Sequence, residues 1–189
     1  MRPIETQTDR EQKQKRNQIL IGIILIALMV FSTLGYAAFN GFGGNNDGSF
    51  KYNGFKFKNV NGLWTTNING ADYFFLYKPQ EVNKRELILN PLNYYYNKPL
   101  YINSDNFEAQ QEITRNFYYI SESIREACLK GEDCNNENLP IKTCEDNFII
   151  IKEGENKIVQ DKNCVFISGE FDSLVSLTNE FLYKLLDIV

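Results

Sequence analysis

The chain has 189 residues, 20 basic and 24 acidic side chains, a formal charge of −4 and no histidine. That length fits one ordinary domain plus an appendage. The missing imidazole excludes Ser-His-Asp and Cys-His catalysis, His-ligated zinc or haem, and histidine pH sensing.

Residues 1–18 form a basic segment with five basic and three acidic side chains, and Lys13, Lys15 and Arg16 stand next to an apolar run. That run, residues 19–39, reads ILIGIILIALMVFSTLGYAAF and carries no charge. As a helix at 1.5 Å per residue it would extend about 31 Å, close to the ~30 Å hydrocarbon core of a bilayer. The sequence therefore predicts a transmembrane helix that partners the lipid bilayer through residues 19–39. The flanking cations predict a cytoplasmic N-terminus, an extracytoplasmic C-terminal domain and a cell-membrane location. Two readings compete. One is a signal peptide cut after the small-x-small site Gly35-Tyr36-Ala37; the other is a pilin-type leader at Lys15, Arg16 and Gln18, with Asn17 where Gly or Ala is expected. Residues 40–49, NGFGGNNDGS, read as a flexible linker.

For residues 50–189 the pattern predicts an α+β fold, with α/β character in its C-terminal half. An aromatic β-meander comes first. Asn53-Gly54, Asn61-Gly62 and Asn69-Gly70 suit the two positive-φ positions of type I′ hairpin turns. Trp64, Thr66 and Ile68 alternate before the last of these and Tyr73, Phe75 and Tyr77 after it, giving one aromatic face. Leu87-Ile88-Leu89 reads as a short strand closed by Asn90-Pro91, and the Tyr94-Tyr95-Tyr96 run as ring cover for a sheet edge.

Two amphipathic helices are expected beyond it. After the strand Leu100-Tyr101-Ile102, the spacing of Ile113, Phe117, Ile120, Ile124 and Ala127 predicts a helix, with Asp105 and Glu108 at capping-box spacing and Gly131 at its close. Phe148–Ile151, Lys157–Gln160 and Val165–Ile167 read as strands, and Leu174, Leu177 or Thr178, Phe181, Leu185 and Ile188 as the seam of a last helix. The segments LYINSDNFE and VFISGEFDS share a grammar of strand, small polar turn, acid and helix. Ligands of open α/β sheets favour the C-terminal ends of parallel strands. If these two strands are parallel neighbours, Asn103, Ser104, Asp105, Ser168, Gly169 and Glu170 form a candidate ligand rim; otherwise they are helix caps.

Cys128, Cys134, Cys144 and Cys164 all fall in the expected extracytoplasmic part, so they read as two disulfides, Cys128–Cys134 and Cys144–Cys164. The second requires the Phe148 and Val165 strands to be direct neighbours, so that the Lys157 strand lies at an edge or leaves the sheet. A four-cysteine zinc site is the alternative, but the spacing lacks a C-x2-C knuckle.

No G-x-S-x-G, P-loop or Rossmann glycine fingerprint is present, so no catalytic residue, metal or cofactor is assigned. Residues 19–189 carry 15 basic and 21 acidic side chains, which argues against a nucleic-acid partner. From Leu139 onward, LPIKTC, NFIII, DKNCVFISG and EFLYKLLDI resemble the C-terminal pattern of uncharacterised single-span membrane proteins of small-genome archaea. The resemblance implies an archaeal envelope location. The expected function is a membrane-anchored extracytoplasmic accessory or interaction protein with a protein partner in the envelope. A carboxylate-dependent envelope hydrolase and a pilin-like filament subunit are the alternatives.

Overall fold

A computed structural model describes residues 17–30, 48–132, 134 and 138–189. The chain divides into two compact units, Met1–Asp47 and Gly48–Val189. In the first, helix α1 covers residues 17–30. Among the described residues no helix is long and apolar enough to cross a membrane. This corrects the fold expected to include a transmembrane helix over 19–39. Residues 1–16, 31–39 and 40–47, which hold the leader, the rest of the apolar run and most of the linker, lie outside the described residues.

The second unit opens with a four-stranded antiparallel meander in chain order: β1 (Ser49–Tyr52), β2 (Phe55–Val60), β3 (Leu63–Ile68) and β4 (Ala71–Phe75). All three Asn-Gly pairs form its turns, with φ of 45° to 52° at the Asn and 85° to 88° at the Gly. Both positions need the left-handed region, which Asn and Gly enter at least cost. Phe57, Thr66, Tyr73 and Phe75 are the buried residues of the inner face.

The second sheet is mostly parallel. It contains β5 (Pro99–Ser104), β6 (Ser123–Glu126), β9 (Asn147–Glu153), β10 (Lys157–Asp161) and β11 (Cys164–Gly169), in the order β6-β5-β9-β11-β10. Only β10 is antiparallel, and it lies at an edge. Helix α2 (Phe107–Phe117) connects β5 to β6, and α3 (Leu174–Leu185) follows β11 after a 3-10 turn at Phe171–Ser173. Two short strands, β7 (Cys128–Leu129) and β8 (Ile141–Lys142), pair in parallel between β6 and β9.

The helices are a layer between the two sheets. Their Ile113, Phe117, Phe181 and Tyr183 share one core with Phe57 and Phe75 of the meander and with Ile102, Ile149 and Val165 of the second sheet. Tyr183 stacks on Phe75 with ring centroids 4.2 Å apart. A smaller cluster of Tyr101, Ala127, Phe148, Ile150 and Cys164 lies on the far side of the second sheet.

Three local expectations are corrected. The first helix stops at Phe117, and Ser123–Glu126 is a strand paired with β5, Ile124 opposite Leu100. The helical spacing of Ile124 and Ala127 was coincidental: parallel pairing along β5 overrides local propensity. Leu87-Ile88-Leu89 has no regular secondary structure and joins no ladder. It lies between tethers at Arg85, which bonds Asn156, and Asn90, which bonds Gln160 and Lys162. The last helix is not amphipathic in its surroundings, because Thr178, Asn179 and Glu180 are as buried as its apolar seam. A helix enclosed by two sheets has no solvent face, and its polar residues must find partners inside.

Thr178 donates to Leu174 O at 2.8 Å within the helix, and the other buried polar side chains of the helix layer bond the free edge of β4 and the segment that follows it. Asn116 accepts from Phe74 N at 2.8 Å and donates to Phe74 O at 2.7 Å, in place of a neighbouring strand. Asn179 accepts from Tyr77 N at 3.0 Å, and the Tyr183 hydroxyl donates to Tyr77 O at 2.5 Å. Glu112, fully buried, accepts from Arg115 at 2.8 Å, from Asn179 at 2.9 Å and from the Leu76 backbone. Glu180 accepts from Arg85 N at 3.0 Å. This polar seam satisfies an edge that would otherwise be buried with unpaired amides.

Candidate functional site

The candidate site lies where two neighbouring strands send their connections to opposite faces. β5 leads into α2 on the inner face, with Ala109 and Ile113 in the main core. β6 leads into β7 on the outer face, with Ala127 and Leu129 in the smaller cluster. Such a divergence at the C-terminal ends of parallel strands opens a crevice. Here it is a cleft of about 180 Å³, with Asn103 and Ser104 from β5, Asp105 from the turn after it, Gln110 from α2, Glu126 from β6 and Lys152 from β9 as its polar walls. Ile102, Ala127, Cys128 and Leu139 supply the apolar part.

The six rim residues expected from sequence divide between places. β5 and β11 are parallel but not neighbours, since β9 lies between them. Asn103, Ser104 and Asp105 reach the cleft. Ser104 donates to Asn106 O and accepts from Asn106 N, so it shapes the turn. The helix cap is Asn106 rather than Asp105: it accepts from Ala109 N at 3.0 Å. Asp105 accepts from Glu153 N at 3.4 Å across the rim. Ser168 donates to Glu155 O at 2.7 Å and lines a separate groove on the outer sheet face. The Glu170 carbonyl accepts from Ser173 N and Oγ at the turn before α3.

Gly169 lies under α3, away from the cleft. A Cβ there would approach Leu177 Cδ1 to 2.5 Å and Ser173 Oγ to 2.6 Å. Gly169→Ala should therefore cost about 1–3 kcal/mol by overpacking, read as a lower urea midpoint with an unchanged slope. A midpoint equal to wild type would show that Leu177 gives way freely.

Gln110, Glu126 and Lys152 are the wall residues that sequence reading missed. Glu126 was hidden in the supposed helix, and Lys152 follows directly from the strand-end rule once β9 is placed beside β5. Gln110 donates to Glu126 Oε1 at 2.8 Å. Lys152 is paired with Glu132 at the outer lip, which neutralises its charge.

The four cysteines form Cys128–Cys134 and Cys144–Cys164, with Cα separations of 5.7 and 4.9 Å. Cys164 lies opposite Phe148 in the β9–β11 register, which is the adjacency the second bridge requires. Among the described residues no group of three or more His, Cys, Asp or Glu could hold a metal ion. The chain matches no protein-family model, no curated protein and no solved structure.

Proposed function

We propose that the Gly48–Val189 domain works outside the cytoplasm as an accessory domain that holds a protein partner on the rim where β5, β9 and β11 end. One observation carries this reading. Phe107 and Phe171, at matching places in the two strand-to-helix segments, are 72% and 48% exposed. The two segments meet at the rim, where Asn106 Nδ2, next to Phe107 in the chain, donates to Phe171 O at 3.3 Å. Packing does not require either ring in water, and exposed aromatic side chains are what interfaces enrich. Asp105, Glu108, Glu153, Glu170 and Asp172 are exposed around them, so the complementary partner surface is basic. Two disulfides favour an oxidising compartment, and the archaeal envelope implied by the C-terminal resemblance belongs to the same reading.

A photo-crosslinking residue in place of Phe171 tests it in intact cells, with Ile88, 96% exposed and away from the rim, as the control position. The expected result is one partner, identified by mass spectrometry, from the Phe171 position alone. No adduct, or equal adducts from both positions, would overturn the reading. The hydrolase alternative has its own observation, since Asp105 and Glu126 line one cleft. At about 180 Å³ that cleft is below the ~300–1,000 Å³ of ordinary small-molecule pockets, which favours a contact site over an enclosed reaction chamber.

A further inference from the structure

We infer that the partner held on the rim is a second copy of this chain, which docks through the lysine face of its β1–β2 hairpin. This rests on the accessory-domain reading above and names the partner. The hairpin carries Lys51 on β1 and Lys56 and Lys58 on β2, all exposed. Residues two apart along a strand, and residues directly opposite across a pair, share a face. Lys51 is opposite Lys56, and Lys58 is two residues from Lys56, so all three stand on the face turned away from Phe57 and the core. Opposite residues have Cβ atoms about 4.5–5.5 Å apart, and like charges so placed destabilise a sheet. Lys78, Lys142, Lys152, Lys157 and Lys162 each face a carboxylate. Among the described residues Lys51, Lys56 and Lys58 are in no ion pair. The one acid on the same face of the meander, Asp72 of β4, already accepts from Asn67 at 2.7 Å. The cluster thus opposes folding slightly, and carboxylates supplied by another molecule would offset it.

The rim is complementary in charge and in its apolar groups. β5, β9 and β11 are adjacent parallel strands, and the chain leaves them at Asp105, Glu153 and Glu170. Glu153 is opposite Gly169, next to Glu170, and Asp105 accepts from Glu153 N at 3.4 Å. Three acids therefore leave neighbouring strands about 4.8 Å apart, a spacing comparable with that of the opposed lysines. Exposed Phe107 and Phe171 accompany these acids. On the lysine face, Val60 is exposed opposite half-buried Leu63, and half-buried Phe74 lies on the same side of the sheet. Lysine stems also cover apolar surface, and their ammonium groups pack on aromatic rings. Matching charges steer such a contact and set its register. The lysine face and the rim are different surfaces of one domain. Their contact is head-to-tail, and a pair of copies keeps one free surface of each kind.

The test uses purified full chain with the photo-crosslinking residue at position 171. Irradiation should give a covalent dimer whose adduct maps to β1 or β2 of the second copy, in a yield that falls as salt is added. Lys51→Gln, Lys56→Gln and Lys58→Gln together in that chain should lower the yield about tenfold or more. Lys98→Gln, off that face, should leave it unchanged. A ¹⁵N-labelled chain with Glu153→Lys and Glu170→Lys has a defective rim and an intact lysine face. Added to the lysine-face variant, it should restore the adduct, now on labelled β1 or β2 peptides. Glu153→Gln with Glu170→Gln replaces the lysine pair if amide spectra show that the latter disturbs the fold. A dimer adduct mapped elsewhere, full yield from the triple variant, or no restoration by a folded labelled chain would overturn the inference. Capture of a different protein alone from position 171 in intact cells would leave the accessory-domain reading standing and remove the second copy. Absence of any adduct in cells removes both.

Discussion

Glu112→Ala should lower the stability of the Gly48–Val189 domain by about 3 kcal/mol, the larger of the two single-residue effects the fold implies. The carboxylate is fully buried and joins α2, α3 and the edge of β4 through Arg115, Asn179 and the Leu76 amide. Removing it takes one of two acceptors from the buried Asn179 amide, which keeps only Val175 O at 3.2 Å. An unsatisfied buried donor costs about 1–3 kcal/mol, and the vacated volume adds a cavity term. Arg115 keeps access to water, so its lost partner adds less. Urea unfolding of the oxidised protein measures the total; a change under 1 kcal/mol would mean that water replaces the carboxylate.

The same residue carries a pH signature. Burial pushes the Glu112 carboxyl above the usual carboxylate range, while the Arg115 charge and the hydrogen bonds from Asn179, Arg115 and Leu76 pull it back in part. A folded pKa above the unfolded value, about 4.3 for Glu, means that the native state binds the proton more tightly. The associated stability is fully present below the unfolded pKa and is lost as pH rises through the folded one. Glu112→Gln resembles the protonated form and does not titrate. The advantage of wild type over Glu112→Gln should therefore shrink between pH 4 and pH 7. An advantage that grew with pH would show that the partners outweigh burial.

How much of this was legible depended on how local the cause is. The three Asn-Gly turns were readable because a type I′ turn asks for positive φ at two consecutive residues, and that requirement is met within the dipeptide. The β9–β11 adjacency was readable because a disulfide sets a distance between chain positions, which excludes a strand between them. What failed depended on partners far along the chain. Ile124 fits a helical seam and a strand equally well, and only the β5 edge decides. Asn179 and Glu180 resemble a solvent face until the meander closes over α3. The apolar run 19–39 satisfies the length rule for a span, whereas among the described residues no helix is long and apolar enough to cross a membrane. At the site, the strand-end rule found Asn103, Ser104 and Asp105 but sent Ser168, Gly169 and Glu170 to the same place, because it could not see that β9 intervenes.

Replacing Cys144 and Cys164 together by Ala should cost about 3 kcal/mol, against about 2 kcal/mol for Cys128 and Cys134. The loop-entropy model gives this order because the bridges close sequence separations of 20 and 6 residues. In the native state the longer loop is also held by other contacts. Phe148 N donates to Asn163 O at 3.0 Å, Asn163 N to Cys144 O at 3.2 Å and Asn163 Nδ2 to Glu145 O at 2.8 Å. Tyr94 adds a bond to Asn163 Oδ1 at 2.9 Å. With the chain ends of β9 and β11 pinned in this way, the bridge acts chiefly on the unfolded chain, and its removal should leave the β9–β11 register intact. Alanine is the better replacement, since Cys164 is fully buried in an apolar cluster where a serine hydroxyl would lack a partner. An unfolded chain freed of a 20-residue loop exposes more surface, so the urea slope should rise as the midpoint falls. The opposite order of costs, or a Cys128–Cys144 peptide in a non-reducing digest, would overturn both the pairing and the unfolded-state account of its effect.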